Sequence, residues 1–181
     1  IRAFDYMNDG SILYSKDRKD TYGSDFYRFV PATGEKTLVF GGEYLVQEIS
    51  SSPDGEVYVI AQKDWNNANL YQLDIPKLTL RPVANSPGVE TGMNYSDGKL
   101  FYSSNQDGLY SIYAYDSRTQ QTHRLTHNGY ATYPAYDPNQ QRLYFIGLHP
   151  NGFDLYQMAA EFGRLHQAVS LKEPSSPPQF T

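Results

Sequence analysis

The sequence predicts an all-β fold made of four consecutive copies of one four-stranded antiparallel sheet. The chain is rich in turn residues, with 14 Gly and 11 Pro. It is also rich in rings that favour strands, with 17 Tyr and 9 Phe. The third and strongest observation is an internal repeat that runs through the whole chain.

The repeat is clearest where a tight turn is followed by an apolar strand. Three copies begin with Asp-Gly and read "DGSILYSK", "DGEVYVIA" and "DGKLFYSS", and the fourth, degenerate copy reads "QQRLYFIG". Gly tolerates the positive φ that a tight hairpin turn requires, which assigns the Asp-Gly pairs to turns. Equivalent apolar positions in the four copies are Ile12, Val57, Leu100 and Leu143, spaced by 45, 43 and 43 residues.

Three more elements recur in fixed order around each copy. One precedes the turn, as in "VQEISS"; one contains a shared tyrosine, as in "ANLYQL"; and one closes the repeat, as in "KTLVF". Each element has four to six residues, rich in β-branched and aromatic types and bounded by turn residues, which is typical of strands. The shared tyrosines are Tyr27, Tyr71, Tyr113 and Tyr156.

The second strand of each repeat is almost continuously apolar, which predicts that both of its faces are covered. A four-stranded repeat of this length with both faces covered indicates a β-propeller blade, with the first strand along the central channel and the fourth outermost. The predicted blades are 1–43, 44–88, 89–130 and 131–173. The segment "QMAAEFGRLHQAV" has helix propensity, but its register predicts strand, turn and strand.

The stretch "SSPDGEVYVIA", residues 51–61, resembles the repeat of TolB-like and WD40-like propellers and of propeller domains of the prolyl-oligopeptidase and tricorn-protease type. Residues 51–55 carry the full Ser-Pro-Asp-Gly signature, and the other copies lack the Pro or the Gly. The resemblance implies rings of six or more blades. We therefore expect part of a longer propeller, with 174–181 as a tail or the start of a fifth blade; the alternative is a closed four-bladed ring.

Composition and motifs argue against several kinds of chemistry. The net charge is −5 and no basic run exists, which argues against nucleic-acid binding. No Cys is present, and no apolar run reaches the roughly 18–20 residues that span a bilayer. His123 and His127 are two positions of one predicted strand, about 13 Å apart, too far to share a metal. We predict no catalytic residue, metal or cofactor.

Candidate binding residues fall in the loops predicted to emerge on one rim of the propeller. Exposed aromatic residues in polar loops are the usual anchors of interfaces. The alternative is that these rings pack onto neighbouring blades. The six candidates are Trp65, Tyr22, Tyr44, Tyr130, Tyr133 and His149.

The function expected from these features is non-catalytic binding of a protein or peptide by the loop rim and the channel mouth. The family resemblance implies a bacterial envelope complex, in the periplasm or at the cell surface. It also leaves open a propeller that gates or supports a peptidase or other hydrolase domain outside these residues. A lyase-type enzyme with a metal site in the propeller is the third possibility.

Overall fold

The computed structural model describes residues 1–64, 66–84, 86–127, 129–160 and, for the backbone, 169–170. These residues form four antiparallel sheets. The first contains β1 (Phe4–Tyr6), β2 (Ile12–Asp17), β3 (Ser24–Val30) and β4 (Glu35–Gly41). The second contains β5 (Tyr44–Ser51), β6 (Val57–Lys63), β7 (Ala68–Asp74) and β8 (Thr79–Ala84).

The third sheet contains β9 (Glu90–Ser96), β10 (Lys99–Ser104), β11 (Ser111–Asp116) and β12 (Gln121–Arg124). The fourth contains β13 (Ala131–Asp137), β14 (Arg142–His149), β15 (Gly152–Ala159) and β16 (Val169–Ser170). Strand order within every sheet follows chain order, and all neighbouring strands are antiparallel. The predicted fold class, four propeller blades of four strands each, is confirmed.

The turns between the first two strands of the first three sheets have the geometry that the Asp-Gly pairs predict. Gly10, Gly55 and Gly98 have φ values of 78°, 85° and 73°. In the first turn, Asp9 accepts a hydrogen bond from the backbone amide of Ser11 at 2.9 Å. Asp side chains commonly stabilise turns in this way, so the Asp-Gly pairs act as turn formers.

Burial rises and falls across each sheet as a propeller requires. The first strands β1, β5, β9 and β13 contact one another in succession. The outer strands β4, β8 and β12 contain no buried residue. Strands β6 and β10 are buried on both faces, as predicted, whereas β14 alternates between buried and partly exposed residues. That alternation indicates that one face of the fourth sheet is less covered.

The apolar core lies between neighbouring sheets. Between the first and second sheets the buried side chains include Leu13, Phe26, Val57, Val59, Tyr71 and Leu73. Between the second and third they include Tyr58, Ile60, Leu70, Leu100, Tyr102 and Tyr113. Between the third and fourth they include Phe101, Ile112, Ala114, Leu143, Phe145 and Met158. Burial between sheets therefore holds the array together.

Some predictions fall wholly or partly outside the described residues. The turn predicted within "QMAAEFGRLHQAV" lies there, because β15 ends at Ala159 and the description resumes at Val169. Residues 174–181 lie there too, so the start of a fifth blade stays a prediction, as do the exact blade bounds. Strand β12 ends at Arg124, which leaves His127 beyond the strand. The described residues contain no helix that could span a membrane.

Candidate functional site

Tyr22 lies in the loop between β2 and β3 and packs toward the second sheet. Its hydroxyl donates a hydrogen bond to the carbonyl oxygen of Gln62 at 3.2 Å. Partial burial raises the pKa of the Tyr22 phenol. The loop is braced by the ion pair between Arg18 and Asp25, whose nearest atoms lie 2.7 Å apart. The Tyr22 hydroxyl therefore takes part in the contact between the first and second sheets.

Tyr44, at the start of β5, also joins a packed cluster. Its ring lies 5.2 Å from that of Tyr71 in an edge-to-face arrangement, and the Lys63 ammonium lies 5.7 Å from its centroid. Such contacts order the ring. Trp65, the sixth candidate, lies outside the described residues.

Tyr130 is the candidate that the structure places in a group of aromatic residues. Its ring centroid lies 5.5 Å from that of Tyr110 and 5.6 Å from that of Phe153. Its carbonyl oxygen accepts a hydrogen bond from the Leu148 amide at 3.3 Å. Sequence reasoning missed Tyr110 and Phe153, although both lie in or beside the loops that it examined.

Tyr133 and His149 are both exposed. Tyr133 has a φ of 53° on β13, and its amide donates to the Ser103 hydroxyl at 3.0 Å. His149 ends β14, where its Nδ1 accepts a hydrogen bond from the Asn151 amide at 3.4 Å. Tyr22 and Tyr44 are thus partly buried, whereas Tyr133 and His149 lie at the surface.

A cavity lies at the opposite end of the sheets from these loops, among the turns between first and second strands. This turn-side groove has a volume of about 520 Å³. The turns of the first three sheets line it, and its lining includes Tyr6, Asn8, Asp54, Tyr95, Asp97 and Arg118. Sequence reasoning had assigned the aspartates to turns alone, and the recurrence of Asp at one repeat position was the signal available.

Hydrogen bonds between sheets hold the walls of the groove in place. The Asn8 side-chain amide donates to the Pro53 carbonyl oxygen of the next turn. The Ser51 hydroxyl lies 2.8 Å from the Tyr6 carbonyl oxygen and 2.7 Å from a carboxylate oxygen of Asp5. Tyr95 stacks on the buried ring of Tyr58, with centroids 6.0 Å apart. The groove is therefore a preformed feature of three packed sheets.

The charged groups around the groove differ in whether neighbouring side chains already bind them. The Asp54 and Asp97 carboxylates and the Arg118 guanidinium lie at exposed positions. Asp9 lies at the equivalent turn of the first sheet, and its carboxylate already accepts hydrogen bonds from Ser11 and Arg28. These hydrogen bonds lower the pKa of Asp9. The groove thus offers both signs of charge beside two tyrosine rings.

A buried carboxyl group marks the third sheet, away from the groove. Glu90 accepts hydrogen bonds from the hydroxyls of Ser86 and Ser104 at 2.6 and 2.8 Å. Burial nevertheless raises the pKa of Glu90, because the charged form loses hydration. Among the described residues, no three His, Asp or Glu side chains cluster closely enough to hold a metal ion.

Comparison with known sequences gives no match: no protein-family model and no curated protein matches this chain.

Comparison with solved structures gives strong matches. The chain superposes on TolB from Acinetobacter baumannii with a TM-score of 0.72 and 18% identity, over 96% of its own length. The fold is that of a TolB-like β-propeller. A putative TolB from Agrobacterium tumefaciens matches with the same TM-score, 19% identity and the same coverage. The chain spans 44% and 62% of the lengths of these two proteins.

TolB-like architecture is shared with enzymes. A puromycin hydrolase matches with a TM-score of 0.72 and 13% identity, over 97% of this chain and 29% of the hydrolase chain. At these identities the likeness establishes the fold alone.

Proposed function

We propose that these residues form a non-catalytic, TolB-like platform that binds a protein or peptide. The observation that carries the proposal is the turn-side groove, a preformed cavity of about 520 Å³. This volume lies within the range typical of ligand sites, roughly 300–1,000 Å³.

The side chains of the groove suit a peptide. Tyr6 and Tyr95 offer rings for apolar or aromatic side chains, and tyrosine is enriched among interface anchors. Arg118 would bind a carboxylate, while Asp54 and Asp97 would bind a Lys, an Arg or an amino terminus. A peptide segment that carries both charges and an aromatic residue matches this set. The loop rim around Trp65 and Tyr130 is proposed as a second, separate contact surface.

The second candidate function is support or gating of a hydrolase domain outside these residues. It is favoured by the puromycin hydrolase match, which covers nearly all of this chain and under a third of the hydrolase. In that arrangement the propeller would bind or admit the substrate, and the catalytic groups would lie elsewhere. A lyase-type metal site in the propeller is the least favoured possibility, and a metal assay of the purified chain would test it.

A periplasmic or cell-surface location in a bacterial envelope is proposed with the first function. The TolB structures supply the support for it, since their fold covers 96% of this chain. Fractionation of the native host, with detection of this chain by antibody, tests the location. Recovery in the cytoplasmic fraction would contradict it.

Selection from a displayed library of random peptides tests the binding function. We expect enriched peptides that carry both charges and an aromatic residue. Arg118→Ala and Asp54→Asn should each weaken their binding about tenfold or more, because a hydrogen bond to a charged group contributes about 1.5–3 kcal/mol. Lys19→Ala and Asp20→Asn, on the loop side, are matched controls that should bind normally.

Two outcomes would contradict the proposal. Absence of any enriched peptide would argue against peptide binding and in favour of the scaffold role in a hydrolase. Peptides that are weakened by Trp65→Ala, and not by the groove variants, would place the site on the loop rim instead.

A further inference from the structure

The repeat places a stacked aromatic pair in each of the two later interfaces between sheets. Between the second and third sheets, the ring of Tyr58 stacks on that of Tyr95, with centroids 6.0 Å apart. Between the third and fourth sheets, Phe101 stacks on Tyr136, with centroids 4.8 Å apart. In both pairs one ring comes from the second strand of a sheet and the other from the first strand of the next sheet.

The interface between the first and second sheets carries small or aliphatic residues at these two positions. Leu13 is equivalent to Tyr58 and Phe101, since each directly follows the matching apolar position of its repeat. Ser51 is equivalent to Tyr95, since each pairs with that apolar position across the hairpin. Leu and Ser thus stand where the other two interfaces have rings.

A cavity of about 230 Å³ lies beside Leu13, and we call it the Leu13 cavity. Its apolar lining comes from Met7, Leu13 and Val39 on the side of the first sheet, and from Ile75, which follows β7 of the second. These side chains belong to or pack against the apolar core between the two sheets. An apolar cavity of roughly 150 Å³ accommodates benzene, so the Leu13 cavity has room for an aromatic ring.

The Leu13 cavity corresponds to the place that the Tyr58 ring takes beside the second sheet. The Tyr58 hydroxyl lies 2.9 Å from a carboxylate oxygen of Glu56, which also accepts a hydrogen bond from Gln72. The equivalents of these two partners in the first sheet are Ser11 and Arg28, and both line the cavity. The same space is therefore filled by a ring beside the second sheet and left open beside the first.

The polar wall of the cavity favours an aromatic side chain over an aliphatic one. Arg28 Nε donates a hydrogen bond to the Ser11 hydroxyl at 3.0 Å, and the guanidinium also pairs with the Asp9 carboxylate. These contacts hold the guanidinium at the cavity border, beside a ring that enters. An arginine there contributes a cation–π attraction that an aliphatic side chain does not receive.

Met7 connects the Leu13 cavity with the turn-side groove, because it lines both. Methionine is unbranched and flexible, so its side chain adapts to an entering group. Ser51, the position of the second missing ring, also lines the groove. A peptide segment in the groove therefore lies next to the cavity.

We propose that the Leu13 cavity receives an aromatic side chain of the segment bound in the turn-side groove, and that it sets the specificity of this site. The inference rests on the proposed peptide-binding function. The partner's ring would supply, between the first and second sheets, the packing that Tyr58 and Phe101 supply between the later sheets. Burial of a ring in a preformed cavity contributes affinity as well as selectivity.

The first experiment tests whether the cavity binds a ring. The chain has three methionines, so isotope-labelled methionine methyl groups give one NMR signal for the cavity, from Met7, and two for other interfaces, from Met93 and Met158. Toluene, the side-chain analogue of phenylalanine, should shift the Met7 signal in a saturable way and leave the other two unchanged. Absence of a saturable shift at Met7 would overturn the proposal.

Two variants fill the cavity from opposite sides and should abolish the toluene shift. Leu13→Phe adds the ring from β2, and Ile75→Phe adds it from the turn after β7. Because Leu13 is 1% exposed, the partly buried Ile75 provides the milder change if Leu13→Phe disturbs folding. Leu109→Phe is the matched control, at a 59% exposed site between β10 and β11. Circular dichroism checks that each variant is folded.

The second experiment uses peptides selected from the random library on the unchanged chain. Replacing the aromatic residue of a selected peptide by Ala should weaken binding to the unchanged chain about tenfold or more. The two filled variants should bind the aromatic and the Ala peptides equally, whereas Leu109→Phe should discriminate as the unchanged chain does.

The outcomes separate this inference from the proposed function. Selected peptides that lose no affinity when their aromatic residue is replaced would overturn the role of the cavity and leave peptide binding intact. Absence of any enriched peptide would contradict both, even if toluene binds. Toluene binding to the 181-residue chain, but not to a longer natural polypeptide that contains it, would mean that the polypeptide fills its own cavity, and would overturn the proposal as well.

Discussion

Glu48 of the second sheet binds the backbone of Gly92 in the third, with Oε1 2.8 Å from the Gly92 amide nitrogen. The other carboxylate oxygen accepts a hydrogen bond from the Met93 amide, also at 2.8 Å, and the Thr91 hydroxyl lies 3.1 Å from Oε1. Gly92 has a φ of 64°, which turns two successive amides toward one anion. These hydrogen bonds to a carboxylate thus join two inner strands, β5 and β9, whose bonded residues are more than forty positions apart in the sequence.

Replacement of Glu48 by Gln should lower the free energy of unfolding by about 1.5 kcal/mol, since one charged acceptor becomes a donor facing an amide. Urea denaturation followed by circular dichroism measures this loss. Glu43→Gln is the control, because the Glu43 carboxylate makes only an exposed ion pair with Lys63 at 3.7 Å. Equal unfolding midpoints for the two variants would mean that Glu48 does not join the sheets.

Gly92→Ala should destabilise the fold more than Gly10→Ala does. Both residues have positive φ, a conformation that costs an L-residue roughly 1–2 kcal/mol. A Cβ on Gly92 would lie 2.9 Å from the Tyr133 ring and 3.1 Å from its Cα, whereas a Cβ on Gly10 would meet nothing within 4 Å. The crowding should add about 1–3 kcal/mol. Thermal unfolding of both variants tests the difference, and similar losses would contradict the close approach.

Glu90→Gln should change how stability depends on pH. Burial raises the pKa of Glu90 above its ordinary value of 4.5, so the folded chain retains a proton that the unfolded chain releases. The natural chain should therefore lose stability relative to the Gln variant as pH rises from about 4.5 through the folded pKa. Urea midpoints of both proteins at several pH values measure this. Parallel curves would show that Glu90 is not held protonated by the fold.

Asp17→Asn should change the pH dependence of the unfolding free energy in the opposite sense. Hydrogen bonds from the Arg2 guanidinium, the nearest at 2.7 Å, lower the pKa of Asp17 below its ordinary value of 3.8. The stabilisation is present above 3.8 and is lost as pH falls through the folded pKa. Both side chains are partly exposed, so solvent screening limits the effect at neutral pH to about 0.5–1 kcal/mol.

The difference in unfolding free energy between the natural chain and Asp17→Asn should shrink toward zero in strong acid. There the Asp17 carboxyl is protonated and, like the amide that replaces it, carries no charge. Chemical denaturation at neutral pH and again well below pH 3.8 compares the two. A difference that persists in acid would mean that Asp17 acts through packing or through its contact with Ser24 and not through its charge.

The sequence by itself determined the number of sheets and the order of the strands within them. Turn chemistry and alternation of side chains are local properties, so the Asp-Gly pairs located the hairpins, and the shared tyrosines such as Tyr71 located the third strands. The nearly continuous apolar run of β6 likewise predicted burial on both faces, because a strand with apolar side chains on both faces is stable when both are shielded from water.

Only the tertiary structure decided which surfaces remain open and which polar groups lie together. The turn-side groove joins Asn8, Asp54 and Asp97, which are more than forty residues apart in sequence and meet because neighbouring sheets stack. Tyr22 looks like any exposed loop ring in the sequence, yet the next sheet binds its hydroxyl. The exposed ring of Phe153 depends on the absence of a neighbouring sheet among the described residues. Strand patterns encode the face on which a side chain lies, and only the packing of whole sheets determines what that face meets.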